Sequence, residues 1–140
     1  MTIFTYNEAE TFREGEKLGR CLSSGDIVAL RGGLGAGKTV FIRGLAAGLG
    51  VASVVSSPTF TIVNEHTGVI PLFHFDLYRI GGENELFDIG WDDYLARDGV
   101  CAVEWSEKIP NALPFGAVTV RIESMGGDVR RVEILGLEEC

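Results

Sequence analysis

Cysteine is scarce in this chain. The three that occur, Cys21, Cys101 and Cys140, are widely spaced and form no CxxC pair. Such spacing supports neither a disulfide framework nor a zinc site, and it suits a reducing cytoplasm. All three read as packing or surface residues. Long apolar runs are missing too, so nothing approaches the roughly 18–20 residues that span a bilayer. The opening "MTIFTYNEAETFREGEKLGR" has no basic start followed by an apolar block, which excludes a secretory signal. Basic charge is short: 12 Lys and Arg stand against 20 Asp and Glu, for a net charge of −8. The basic residues are scattered singly apart from Arg130–Arg131. A protein that grips nucleic acid unaided carries a basic stripe, because phosphate neutralisation supplies most of the affinity. Any RNA this chain serves is therefore expected to be held by something else. The acidic run "ELFDIGWDD" could face a partner, although a solvated helix face is the plainer reading.

What remains is an ordinary globular composition, 46% apolar and 23% charged, in 140 residues. It fits one domain, 1–140, with a real core. Residues 7–24 read as a helix, with Asn7 and Glu10 spaced as a capping box. "DIVALRG" reads as a buried strand before a glycine loop. "TVFIRGLAAGLG" then gives a helix with Phe41, Leu45 and Leu49 on one side, stopping at Gly50. Gly44 and Gly48 share one of its faces, where they would permit a close approach to the sheet. From 54 to 75 the text turns extended: a rigid "SSPTF" turn, alternating "FTIVNEH", a "TG" hairpin signal and "VIPLFHFD". A helix is expected over 83–97, a buried strand at "GVCAVEW", and a closing hairpin of "AVTVRIES", a "GG" turn and "VRRVEIL". This alternation predicts a three-layer α/β fold with a mainly parallel sheet and antiparallel hairpin additions.

The chemistry is concentrated in "GGLGAGKT". Gly32-Gly33-Leu34-Gly35-Ala36-Gly37-Lys38-Thr39 satisfies G-x-x-x-x-G-K-[ST] in full and sits between a strand and a helix. Its glycines let successive amides converge on an anion, and the helix N-terminus adds its dipole. Lys38 can bridge the β- and γ-phosphates, and the Thr39 hydroxyl suits Mg²⁺. Hydrolysis also needs an acid at a strand end. Asp76 closes "LFHFD" and Glu104 closes "VCAVE", and the pattern alone does not rank them. Thr59, after Pro58, stands where a switch threonine would sense the γ-phosphate, though Ser-Pro-Thr also makes a plain turn. Trp105 either stacks at the mouth of the site or packs as a half-buried aromatic. His74 and His66 lie too far from a second ligand at metal spacing, and His74 is expected to hydrogen-bond within the fold. No N-K-x-D string reads guanine, and about 100 residues after the loop hold no Arg-rich lid. The residues favour an adenine nucleotide, with water as the simplest acceptor. A small-molecule kinase and a non-hydrolysing nucleotide switch are the alternatives.

Taken in order, "GGLGAGKT", "SSPTFT", "HFDLYR", "ELFDIGWDDYL" and "VEWSEKIP" resemble the TsaE (YjeE) family from the first helix to about Pro114. The resemblance implies a phosphate-loop ATPase, using ATP and Mg²⁺ in the cytoplasm. Its hydrolysis supports the TsaB–TsaD pair, which transfers threonylcarbamoyl to adenosine 37 of ANN-decoding tRNAs. The family member is not itself the transferase, and the tRNA is reached through the partners. Carried over by motif, Thr39 and Glu104 resemble the Mg²⁺ ligands and Lys38 the phosphate-binding lysine. Asp76 resembles the essential acid, Thr59 the switch threonine and Trp105 the tryptophan beside the site. The resemblance also implies nucleotide contacts from Gly33, Leu34, Gly35, Ala36, Gly37 and Val40. Glu8, Thr11 and one arginine of Arg130–Arg131, taken as Arg131, are further candidates. The family often has Asp in place of Gly33 and Thr in place of Val40; neither change removes a proposed ligand.

Overall fold

The computed structural model describes residues 1–33, 35–52 and 62–137. The expectations placed on Leu34, on Thr59 with its Ser-Pro-Thr turn, and on Cys140 lie outside the described residues. A seven-stranded sheet is built from β1 (Thr2–Thr5), β2 (Ile27–Arg31), β3 (Val63–His66), β4 (Leu72–Asp76), β5 (Val100–Glu104), β6 (Val118–Ser124) and β7 (Arg130–Leu135). Its order is β1-β7-β6-β2-β5-β4-β3. The four central strands, β6, β2, β5 and β4, run parallel, while β7, β1 and β3 add to the two sides antiparallel. The expected parallel sheet with hairpin additions is therefore the observed one. Strand β1 was not foreseen: "TIFT" is only four residues, and its partner β7 lies at the other end of the chain.

Central strands buried on both faces need near-continuous apolar runs, and "IVAL" and "VCAV" supply them. Val28 and Leu30 join Leu72, Val100, Ala102 and Val120 in a core under α1 (Glu8–Cys21) and α2 (Lys38–Gly48). On the opposite face Ile27, Phe73, Phe75, Cys101 and Val103 pack with Leu86, Trp91 and Ile109. There the phenylalanines meet Trp91 and Tyr94 edge to face at 5.0–5.2 Å. These are the three layers. The single helix expected over 83–97 is instead two, α3 (Glu83–Asp88) and α4 (Trp91–Ala96). Gly90 separates them at φ 92°, a left-handed conformation that no helix interior accommodates. No helix among the described residues is long and apolar enough to cross a membrane.

Helix α1 begins as expected, with Glu10 N–H donating to the Asn7 side chain at 2.9 Å and the Glu10 carboxylate accepting from Tyr6 N–H at 3.0 Å. Gly44 and Gly48 serve a different approach from the one expected. A Cβ on Gly44 would lie 1.9 Å from the Phe12 carbonyl oxygen, and one on Gly15 would lie 2.1 Å from that of Phe41. The glycines of α2 thus meet glycines of α1 in a close helix–helix crossing, while Phe41, Ile42 and Leu45 are left for the sheet. That crossing fixes α1 over the start of α2, where the site lies. Cys101 is free and buried, and burial pushes its thiol up to about 12.

Candidate active site

Three sequence features converge at the carboxyl ends of the parallel strands. The first is the loop after β2. Gly37 caps α2 at φ 101° and ψ 14°, so the chain turns sharply into the helix and the free amides of its first turn face the loop. The second is the strand pair β4–β5, whose parallel register sets Asp76 beside Glu104. Alternation puts both acids on the same sheet face as Leu72, Val100 and Ala102, the face that α2 covers. The third is the turn after β5. Trp105 sits at φ 60° and ψ 39°, the left-handed conformation seen here in no other non-glycine residue described. Such a conformation costs about 1–3 kcal/mol and persists only where the surroundings hold it. Ser106 does part of that holding, since its buried hydroxyl donates to the Leu30 carbonyl of β2 at 3.1 Å.

Lys38 lies among these parts. It is only 5% exposed, and its ammonium donates to the Gly32 carbonyl at 2.7 Å. The same nitrogen stands 3.6 Å from the centre of the Trp105 ring, a cation–π contact. Burial lowers the Lys38 pKa, and the carboxylates of Glu104, Glu107 and Asp76 oppose that shift. Glu104 is 4% exposed, with Oε2 against His74 Nε2 at 2.6 Å. Asp76 is half-buried and accepts the Tyr78 N–H at 3.0 Å. Tyr78 in turn packs on Trp105 with 5.0 Å between ring centres.

Together these residues wall a cavity of about 330 Å³, within the range of small-molecule sites. Gly35, Ala36, Gly37, Lys38, Thr39 and Val40 form its floor. Asp76, Glu104 and Trp105 form one wall, and Glu8 and Thr11 of α1 contribute another. Thr11 is held by a 2.7 Å hydrogen bond between its hydroxyl and that of Thr5 on β1. Gly33 stands apart, lining a neighbouring recess with Arg31 and Arg121. The arginine assignment needs correction: Arg130 lines the cavity, and Arg131 does not. Adjacent residues on a strand point to opposite faces, so Arg131 turns away and pairs with Glu133 at 3.3 Å and Glu123 at 4.0 Å. Arg130 instead reaches the loop, donating to the Gly35 carbonyl at 3.3 Å.

Tyr78 and Asp128 also line the cavity and were not singled out from sequence. Tyr78 had a signal, two residues beyond Asp76 in "HFDLYR"; Asp128, in the hairpin turn, had none. The donors around Thr39 are oxygens: its hydroxyl and the carboxylates of Asp76 and Glu104. Among the described residues no three His, Cys, Asp or Glu side chains form a metal cage. One or two carboxylates, a hydroxyl and phosphate oxygens are what Mg²⁺ ordinarily takes, so this set fits it.

Comparison with known proteins identifies the family and the fold. Residues 5–132 match the family described as Threonylcarbamoyl adenosine biosynthesis protein TsaE. The chain is 43% identical over 129 residues to the TsaE protein of Bacillus subtilis, covering 91% of this chain and 80% of that one. It is 38% identical over 134 residues to that of Treponema pallidum, covering 96% and 99%. The crystal structure of Bacillus subtilis YdiB superposes with a TM-score of 0.81 at 37% identity, over 94% of this chain and 82% of that one. On sequence and architecture alike, the chain belongs to the TsaE family of threonylcarbamoyl adenosine biosynthesis proteins.

Proposed function

We propose that this protein binds and slowly hydrolyses Mg·ATP in the cytoplasm, in support of threonylcarbamoyladenosine formation on tRNA. The observation that carries the reading is the meeting of Lys38, the amides opening α2, and the paired strand-end acids Asp76 and Glu104 in one cavity. Lysine and amides hold the phosphates, and Arg130 adds charge beside the loop. Thr39 and Glu104 would hold Mg²⁺, which supplies charge neutralisation at the transferring phosphate. Asp76 is left to orient the attacking water. The threonylcarbamoyl transfer itself belongs to the TsaB–TsaD pair, with which this protein works. The net charge of −8 suits a protein that reaches tRNA through partners rather than alone.

The test is ATP hydrolysis by the purified protein, alone and with TsaB–TsaD, for wild type and Lys38→Ala. Slow turnover that rises with the partners and is lost in Lys38→Ala is the expected result. Saturating partners that neither bind nor change the rate would overturn the reading.

A further inference from the structure

His74 occupies the middle of β4 with its side chain wholly buried, flanked by Leu72, Phe73 and Phe75. An apolar residue would pack there at no polar cost. The imidazole instead carries one unsatisfied nitrogen, since Nδ1 is buried with no hydrogen-bond partner. Burying such an atom is unfavourable, so the other nitrogen must do something that offsets it. Nε2 lies 2.6 Å from Oε2 of Glu104. A carboxylate only accepts, so the proton is on Nε2 and His74 donates.

The register explains how the two meet. His74 stands opposite Ala102, and Glu104 stands opposite Asp76. The bond therefore runs diagonally, between residues two apart on neighbouring strands of one sheet face. Ala102, a methyl group, leaves the imidazole room to lean along the sheet. The outcome is a Glu104 carboxylate with one oxygen already taken. Among the described residues Oε1 is the oxygen left for a ligand, on a side chain that is 5% exposed and has little freedom to turn.

We propose that His74 is a positioning residue for Glu104: its Nε2–H fixes the carboxylate in the orientation that receives Mg²⁺ bound with nucleotide. The proposal rests on the reading of the cavity as a Mg·ATP site. Partners that orient a ligating group commonly change metal affinity or activity by about 10- to 100-fold when removed.

The test contrasts two amides of different reach. In His74→Gln the amide N–H stands near the position of Nε2; in His74→Asn it falls short, near Nδ1. Both full-length variants, with His74→Leu, are measured in two ways. One is the Mg²⁺ dependence of ATP hydrolysis with partners present. The other is ADP affinity with and without Mg²⁺, by titration calorimetry. His74→Asn and His74→Leu should need about tenfold or more extra Mg²⁺ for half-maximal rate. They should also lose the Mg²⁺-dependent part of ADP affinity, with Mg²⁺-free affinity unchanged, and His74→Gln should recover both. Combining His74→Asn with Glu104→Gln should do no further harm beyond Glu104→Gln alone, because the histidine acts through that carboxylate. Additive losses would overturn the proposal, as would Asn and Gln variants that behave alike. If His74→Leu fails to fold, the Asn–Gln contrast decides alone. Wild type whose ADP affinity ignores Mg²⁺ would instead defeat the Mg·nucleotide reading, and this proposal with it.

Discussion

Two acids end neighbouring strands in the same register, yet they live in different surroundings. Glu104 closes β5 as a buried side chain tied to His74 across the sheet. Asp76 closes β4, half-buried, and its carboxylate accepts a backbone amide two residues on, that of Tyr78. The first is built into the core that supports it. The second is built into a local turn at the mouth of the cavity. Position at a strand end thus puts an acid beside the glycine loop, but cross-strand packing decides whether it is also part of the framework. The two should therefore separate experimentally: both should matter to turnover, and only one to stability.

Glu104→Ala should give the largest effect, on both counts. Removing the carboxylate leaves His74 buried with neither ring nitrogen paired, which costs about 1–3 kcal/mol. Hydrolysis should fall by about 10²-fold or more, the worth of a positioned catalytic group. Glu104→Gln sharpens the point. Its amide oxygen still accepts from His74, so the melting temperature should stay near wild type while turnover is lost with the charge. Calorimetric melting beside a single-turnover ATP assay separates the two. A Glu104→Gln variant as unstable as Glu104→Ala would mean that the charge, not the hydrogen bond, holds this corner together.

Asp76→Ala should come next, with the opposite balance. Loss of one partly exposed hydrogen bond should change stability by no more than about 1 kcal/mol, while turnover falls steeply. The check is urea unfolding of Asp76→Ala against Glu104→Ala. Equal destabilisation would erase the distinction between a framework acid and a mouth acid.

The same contrast explains what could be read from sequence. The glycine loop between β2 and α2 and the alternation of strands and helices are legible because their signals are local: glycine spacing, β-branched runs and a capping box within a few residues. Asp76 and Glu104 could not be ranked, because the feature that distinguishes them is a histidine 30 residues away on another strand. Arg130 and Arg131 are not separable in sequence for a related reason. One step along a strand reverses the face, and the register of β6 with β7 is set by the turn at Gly126 and Gly127. The glycine pairs carry a signal of their own. Gly15 and Gly19 repeat the four-residue spacing of Gly44 and Gly48, and that shared spacing was the sign that the two helices meet. A lone glycine inside an otherwise helical pattern is often tolerated, whereas Gly90 turns the chain.

A third carboxylate sets the scale for an acid that does neither job. Glu65, on the edge strand β3, pairs with Arg97 at 2.6 Å in the open, with both side chains about half exposed. The hydrogen bond from Arg97 holds the Glu65 pKa below its ordinary value of 4.5. A lowered carboxylate pKa stabilises the fold above the unfolded value and loses that contribution as pH falls through the folded one. The contribution should therefore be present at neutral pH and fade below about 4.5, and it should be small, because solvent and salt screen exposed pairs. Arg97→Gln should cost a little stability at pH 7 and less at pH 3.5, which flattens the acid limb of the stability curve slightly. Paired unfolding curves at pH 3.5 and 7, at low and high salt, measure it. A loss at pH 7 that salt does not reduce would place Glu65 with Glu104, as a carboxylate the framework depends on, rather than at the bottom of the scale.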